Sequence, residues 1–124
     1  MSPSFFMVDA IDFPDETTSN VDRSLVEAAQ RSGARRKYLA RGEGGFYSQL
    51  SWFPAGYTVP MHSHDHDEMI MVVEGSLSLL GGGATLGRFD SMVLEAGHEY
   101  GFAAGQEGMT FLTVRNAEAS VALR

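Results

Sequence analysis

Three of the four histidines of this 124-residue chain fall within five positions, in the run MHSHDHDEM from Met61 to Met69. Side chains of a strand alternate faces with a period of two, so His62 and His64 point the same way. Glu68 follows four residues later, where the chain can return as the next strand, and residues at the two ends of a hairpin can converge on one ion. Two imidazoles and one carboxylate suit a divalent metal such as iron, manganese, nickel or zinc. His66 shares the parity of His62 and His64 but lies between Asp65 and Asp67, where a turn is expected, and reads as a surface histidine. The two aspartates read as turn residues that accept local backbone hydrogen bonds.

The residues around this cluster carry a larger pattern. Gly56, five residues, His62, one residue, His64, three residues, Glu68, six residues and Gly75 match every fixed position of G(X)5HXH(X)3-4E(X)6G. The chain thus resembles the cupins, small antiparallel β-barrels of the jelly-roll type. That resemblance implies one divalent ion per chain on His62, His64 and Glu68 inside the barrel mouth, and a homodimer. The second motif of the family, G(X)5PXG(X)2H, fits less well. Anchored on Gly97, it finds Phe89 for the first glycine, Glu95 for the proline and Tyr100 for the histidine, while Asp90, Ala96 and Gly97 remain in keeping with the family.

Three fillings of the fourth metal position therefore stay open. His98 shares the face of Tyr100, but two residues of strand span about 6.6 Å, so the loop after Gly97 would have to shift. Tyr100 can ligate only if the ion lowers a phenol pKa that is ordinarily near 10, whereas a hydrogen-bonding or proton-transfer role asks less. Water is the third filling, with Tyr100 lining the barrel. Tyr100 and His98 are the candidate catalytic residues beside the metal ligands.

These residues need strands to hold them, and the chain supplies strand signals. From Tyr38 onward, short apolar or alternating runs are broken by glycine: FYSQLSWF, EMIMVVEG, SLSLLGGG, DSMVLEAG, EYGFAAG and MTFLTVR. Turn signals at this spacing indicate an all-β antiparallel sandwich or barrel. Gly75 reads as a turn into Ser76 to Leu80, and Gly81 to Gly83 as a hairpin tip. Residues 1–20 read as an irregular N-terminal arm and 21–124 as a single domain. One short amphipathic helix is expected over Val21 to Ser32, capped by Asn20 and ended by Gly33. The apolar start Phe5 to Val8 is suited to adding to a neighbour's sheet edge. Candidate pocket residues are Phe46, Tyr47, Gln49, Trp52, Phe53, Tyr57, Met69, Met71, Tyr100, Phe102 and Phe111, with the inward parity left open.

Composition narrows the function. A net charge of -7 argues against a surface that neutralises nucleic-acid phosphates. Arg31, Arg35, Arg36, Lys37 and Arg41 cluster within eleven positions and read as a solvated helix end and the turn after it, with a local anion site as the alternative. With no cysteine, any metal must be held by nitrogen and oxygen. No apolar run approaches the roughly 20 residues of a membrane span, and a cytoplasmic protein is expected. The reading that follows is a metal-dependent enzyme acting on a small organic molecule, dioxygenase-like in its chemistry. The alternatives are a metal-dependent isomerase or lyase, and a non-catalytic cupin that binds a metal or small molecule.

Overall fold

The computed structural model describes residues 2–15, 33–117 and 122–123, with Ser24, Glu27 and Arg31 between them. The helix expected over 21–32 therefore lies largely outside the described residues. Eight strands follow in order: β1 (Arg35–Arg41), β2 (Tyr47–Phe53), β3 (Thr58–Ser63), β4 (Glu68–Leu79), β5 (Thr85–Leu86), β6 (Ser91–Leu94), β7 (Tyr100–Arg115) and β8 (Ala122–Leu123). Every pairing is antiparallel, in the order β1-β2-β7-β3-β8, with β4 joined to β5, β6 and β7. This is the expected jelly-roll sheet, folded on itself around one core.

The two longest strands make the fold. The first half of β7 pairs with β3 and with the end of β4, through Val59↔Phe102 and Leu79↔Phe102. Its second half pairs with β2 and with the start of β4, through Ser51↔Phe111 and Val72↔Phe111. Between these halves the β4–β7 register shifts twice, at Val72/Glu74 and Gly75/Leu77. Such irregularities bend strands and let one strand serve two sheets.

Gly75, read from sequence as a turn, instead sits inside continuous β4 at that bend. Its φ is +76°, and a Cβ there would overlap the carbonyl oxygen of Gly108, which itself has φ +76°. Glycine is needed on both counts, conformation and close backbone approach. The hairpin tip at Gly81 to Gly83 is as expected, all three at positive φ, closed by the Leu79 N–H on the Ala84 carbonyl.

Alternation sorts the side chains. Ile70, Val72, Leu77, Leu94, Phe102, Met109 and Phe111 are buried together, with Phe53 and Tyr57 packed against them. Phe53 and Phe111 meet edge to face at 5.0 Å. Met69 and Met71 alternate with buried Glu68, Ile70 and Val72 and so face outward, contrary to their place among the pocket candidates. Trp52, between Ser51 and Phe53, is outward too, and Phe46 is 60% exposed. On the outer face the N-terminal arm is tied down. Phe13 packs on Trp52 at 5.9 Å under the Arg35 guanidinium, and Lys37 Nζ donates to the Val8 carbonyl at 2.9 Å.

Arg35, Arg36, Lys37 and Arg41, expected at a helix end and turn, lie on β1 instead. β1 is an edge of the sheet, and cations along an edge oppose pairing with another chain. Among the described residues no helix is long and apolar enough to cross a membrane.

The bend gives a direct test. Gly75→Ala should cost about 3 kcal/mol or more in urea unfolding, from left-handed strain plus overlap. Gly82→Ala, at positive φ with open space around it, should cost about 1 kcal/mol. Equal small losses would contradict the close approach of β4 and β7.

Candidate metal centre

β3 and β4 are joined by the link 64–67, and β7 runs beside both strands. His62 is paired with Tyr100 at the start of β7, and Glu68 with Arg115 at its end. Because the sheet is folded, both ends of β7 reach one carboxylate. The Tyr100 hydroxyl donates to Glu68 Oε1, and Arg115 Nε donates to Oε2 at 2.8 Å. Arg115 Nη1 also donates to Gln49 Oε1 at 3.3 Å, and Gln49 Nε2 donates to Ser51 Oγ at 3.5 Å. Gln49, Ser51 and Glu68 are all buried.

Burial by itself would raise the Glu68 pKa, but the Arg115 and His64 charges, with the hydrogen bonds from Tyr100 and Arg115, hold it below the usual value. Glu68 is therefore a carboxylate at neutral pH. Tyr100 is displaced the other way: burial, then the adjoining Glu68 carboxylate, push its pKa far up. It serves here as a hydrogen-bond donor to Glu68.

The imidazoles are ordered by their acceptors. His62 Nδ1 lies 2.8 Å from the Pro60 carbonyl, which can only accept, so Nδ1 donates to it. His64 Nε2 lies 3.2 Å from the Tyr100 oxygen. His66 Nδ1 lies 2.8 Å from Asp65 Oδ1.

The expectation of a surface His66 is corrected: only 7% of it is exposed, and its Nε2 is buried without a hydrogen-bond partner among the described residues. The alternation of β3 continues through the link, so His66 stays on the inner side with His62 and His64. The link is pinned by the Ala96 N–H on Asp67 Oδ1 and the Gly97 N–H on the His64 carbonyl, both at 2.8 Å. This turns Asp65 and Asp67 outward, as expected of turn residues.

One ligand atom each from His64, His66 and Glu68 lie within 4.8 Å of one another. His62 is buried beside them, its ring 5.0 Å from His64 and 4.4 Å from Tyr100, but outside that compact group. His98 does not join: it is exposed in the turn before β7, its N–H on the Glu95 carbonyl. Arg115 went unnoticed in the sequence, and it is separated from Glu68 by 47 positions with no local pattern linking them. Gln49 and Ser51, polar residues at alternate positions of an otherwise apolar strand, were the available hint. The donor set of imidazole nitrogens and one carboxylate fits a divalent ion, and the unpartnered Nε2 of His66 is an acceptor that a cation would satisfy.

An antiparallel jelly roll with histidines and a glutamate gathered on its inner face defines a β-barrel with a possible metal site. The chain belongs to the cupin-domain family, whose profile matches residues 50–115. A search of curated proteins finds no match. Among solved structures, KdgF from Halomonas sp. is similar at 21% identity and TM-score 0.69, covering 94% of this chain and 96% of its own. An RmlC-like cupin from Shewanella frigidimarina is similar at 20% identity and TM-score 0.69, with 94% of each chain covered. The polyketide cyclase RemF from Streptomyces resistomycificus has 23% identity and TM-score 0.63 over 73% of this chain and 70% of its own. At these identities the likeness is one of fold.

Replacing Arg115 by Met should lower the stability of metal-free protein by about 3–5 kcal/mol, since Glu68 is left buried without its cation. The ion pair depresses the folded-state pKa of Glu68 from the ordinary 4.5, so its contribution is full above that value and is lost as pH falls through the lowered one. The stability gap between wild type and variant should therefore narrow in acid. A gap independent of pH would mean that Arg115 acts through packing alone.

Proposed function

We propose that this protein is a metal-dependent enzyme that holds one divalent ion on His62, His64 and Glu68 and acts on a small organic molecule by dioxygenase-type chemistry. The observation that carries this reading is a buried carboxylate kept ionised among imidazoles, on the inner face of an otherwise apolar barrel. When bound, such an ion supplies a Lewis acid for substrate oxygens and, as iron with open positions, a centre for dioxygen.

The chain's own residues do the rest. Arg115 and Tyr100 fix the orientation of the Glu68 carboxylate from opposite sides. Tyr100, still protonated, is the group placed to hold or pass a proton beside the donor set. Ile70, Val72, Phe102 and Phe111 belong to the packed apolar core of the barrel, which keeps water out.

A second reading, a non-catalytic cupin, is supported by one observation: Glu68 already has both oxygens bonded and its charge balanced by Arg115. Elemental analysis tests the metal on which the enzyme reading depends. Protein from metal-replete cells should carry stoichiometric metal, and His62→Ala and Glu68→Gln should lose it with unchanged far-ultraviolet circular dichroism. Metal-free wild type would sink the enzyme reading. The dioxygenase step is tested by oxygen uptake of iron-loaded protein with diketones, phenolic ketones and small thiols; no uptake with any of them would leave isomerase or lyase chemistry.

A further inference from the structure

We infer that His66, oriented by Asp65, is a metal ligand in its own right and fills the place that the second cupin motif would give to a histidine on β7. This rests on the metal reading above and extends it to a residue at a variable position of the motif. The residue at the expected place, Tyr100, spends its proton on Glu68, and the nearby His98 faces solvent. The ring that does point into the cluster is His66.

Its Nε2 is buried and has no hydrogen-bond partner among the described residues. An unsatisfied buried polar atom costs about 1–3 kcal/mol, so a fold that keeps one needs a reason. Asp65 Oδ1, mostly exposed, lies 2.8 Å from Nδ1 and can accept from it, so Nε2 is the ring nitrogen left to face an ion. A carboxylate behind a histidine is the arrangement that fixes the tautomer and raises the basicity of metal-bound imidazole.

Distance agrees with the chemistry. Two donors each about 2.1 Å from an ion stand at most about 4.2 Å apart. The ligand atoms of His64, His66 and Glu68 lie within 4.8 Å, so closing by a few tenths of an ångström brings all three onto one ion. The spacing that places His66 is the continued two-residue alternation of His62 and His64, carried through the link instead of ending at Ser63.

The test is cobalt binding by the full chain. Apoprotein is titrated with Co(II), with affinity read by chelator competition and coordination by the visible absorption bands. His66→Ala should weaken binding by about 100-fold and shift the bands, Asp65→Asn should weaken it by about tenfold, and exposed His98→Ala should change neither. A second measurement uses wild type alone: in long-range proton–nitrogen spectra, Zn(II) should move the His66 Nε2 resonance to the metal-bound region. Wild-type cobalt affinity and bands in His66→Ala, or an unmoved His66 resonance on saturation with zinc, would overturn the assignment while leaving the metal reading intact. No Co(II) binding by wild type would overturn both.

Discussion

The close approach of Gly75 and Gly108 is the constraint on which the rest of this structure depends. Two strands of 12 and 16 residues cannot both stay straight and enclose a core. By bending together where neither has a side chain, β4 and β7 place Phe102 and Phe111, residues of one strand, within 5.8 Å of each other across the interior. The same bend carries Tyr100 and Arg115 to one carboxylate. Core and site thus share a single geometric cause.

The polar chain that results, from Ser51 through Gln49, Arg115, Glu68 and Tyr100 to His64, is expensive to bury. Desolvating an ion pair in an apolar barrel often costs as much as the pairing returns, and an apolar replacement of equal shape would commonly be as stable. The network is better understood as preorganisation. Each oxygen of Glu68 has a donor from a different end of β7, so its carboxylate plane is fixed before anything binds. A donor set held this way spends little ordering energy on capturing an ion or a substrate.

Much of this was legible in the sequence because it rests on short-range rules. The spacing around His62, His64 and Glu68 marked the cupin barrel, and three successive glycines marked a hairpin tip. What was missed has definite physical reasons. Gly75 was read as a turn because positive φ and close packing between strands leave the same residue type behind. β4 and β7 were each broken into two pieces for the same reason. The aspartate neighbours of His66 suggest a turn at the surface, whereas the buried-exposed alternation runs on through the link. Trp52, Met69 and Met71 were pocket candidates by size alone, and parity, which only pairing partners fix, turned them outward. Arg115 meets Glu68 through register, which no local window contains.

The placement of both Glu68 partners on β7 also has a consequence for how the molecule is made. They lie 32 and 47 positions downstream of the carboxylate. While the chain is being synthesised, Glu68 and the histidines beside it emerge well before the strand that clamps them. Contacts of such long sequence separation form late, because the intervening loop must first be closed. The donor set acquires its final geometry only when β7 is seated. Its assembly is thus a report that the barrel has closed, and a chain cut short before Arg115 would carry the histidine motif without the means to hold it.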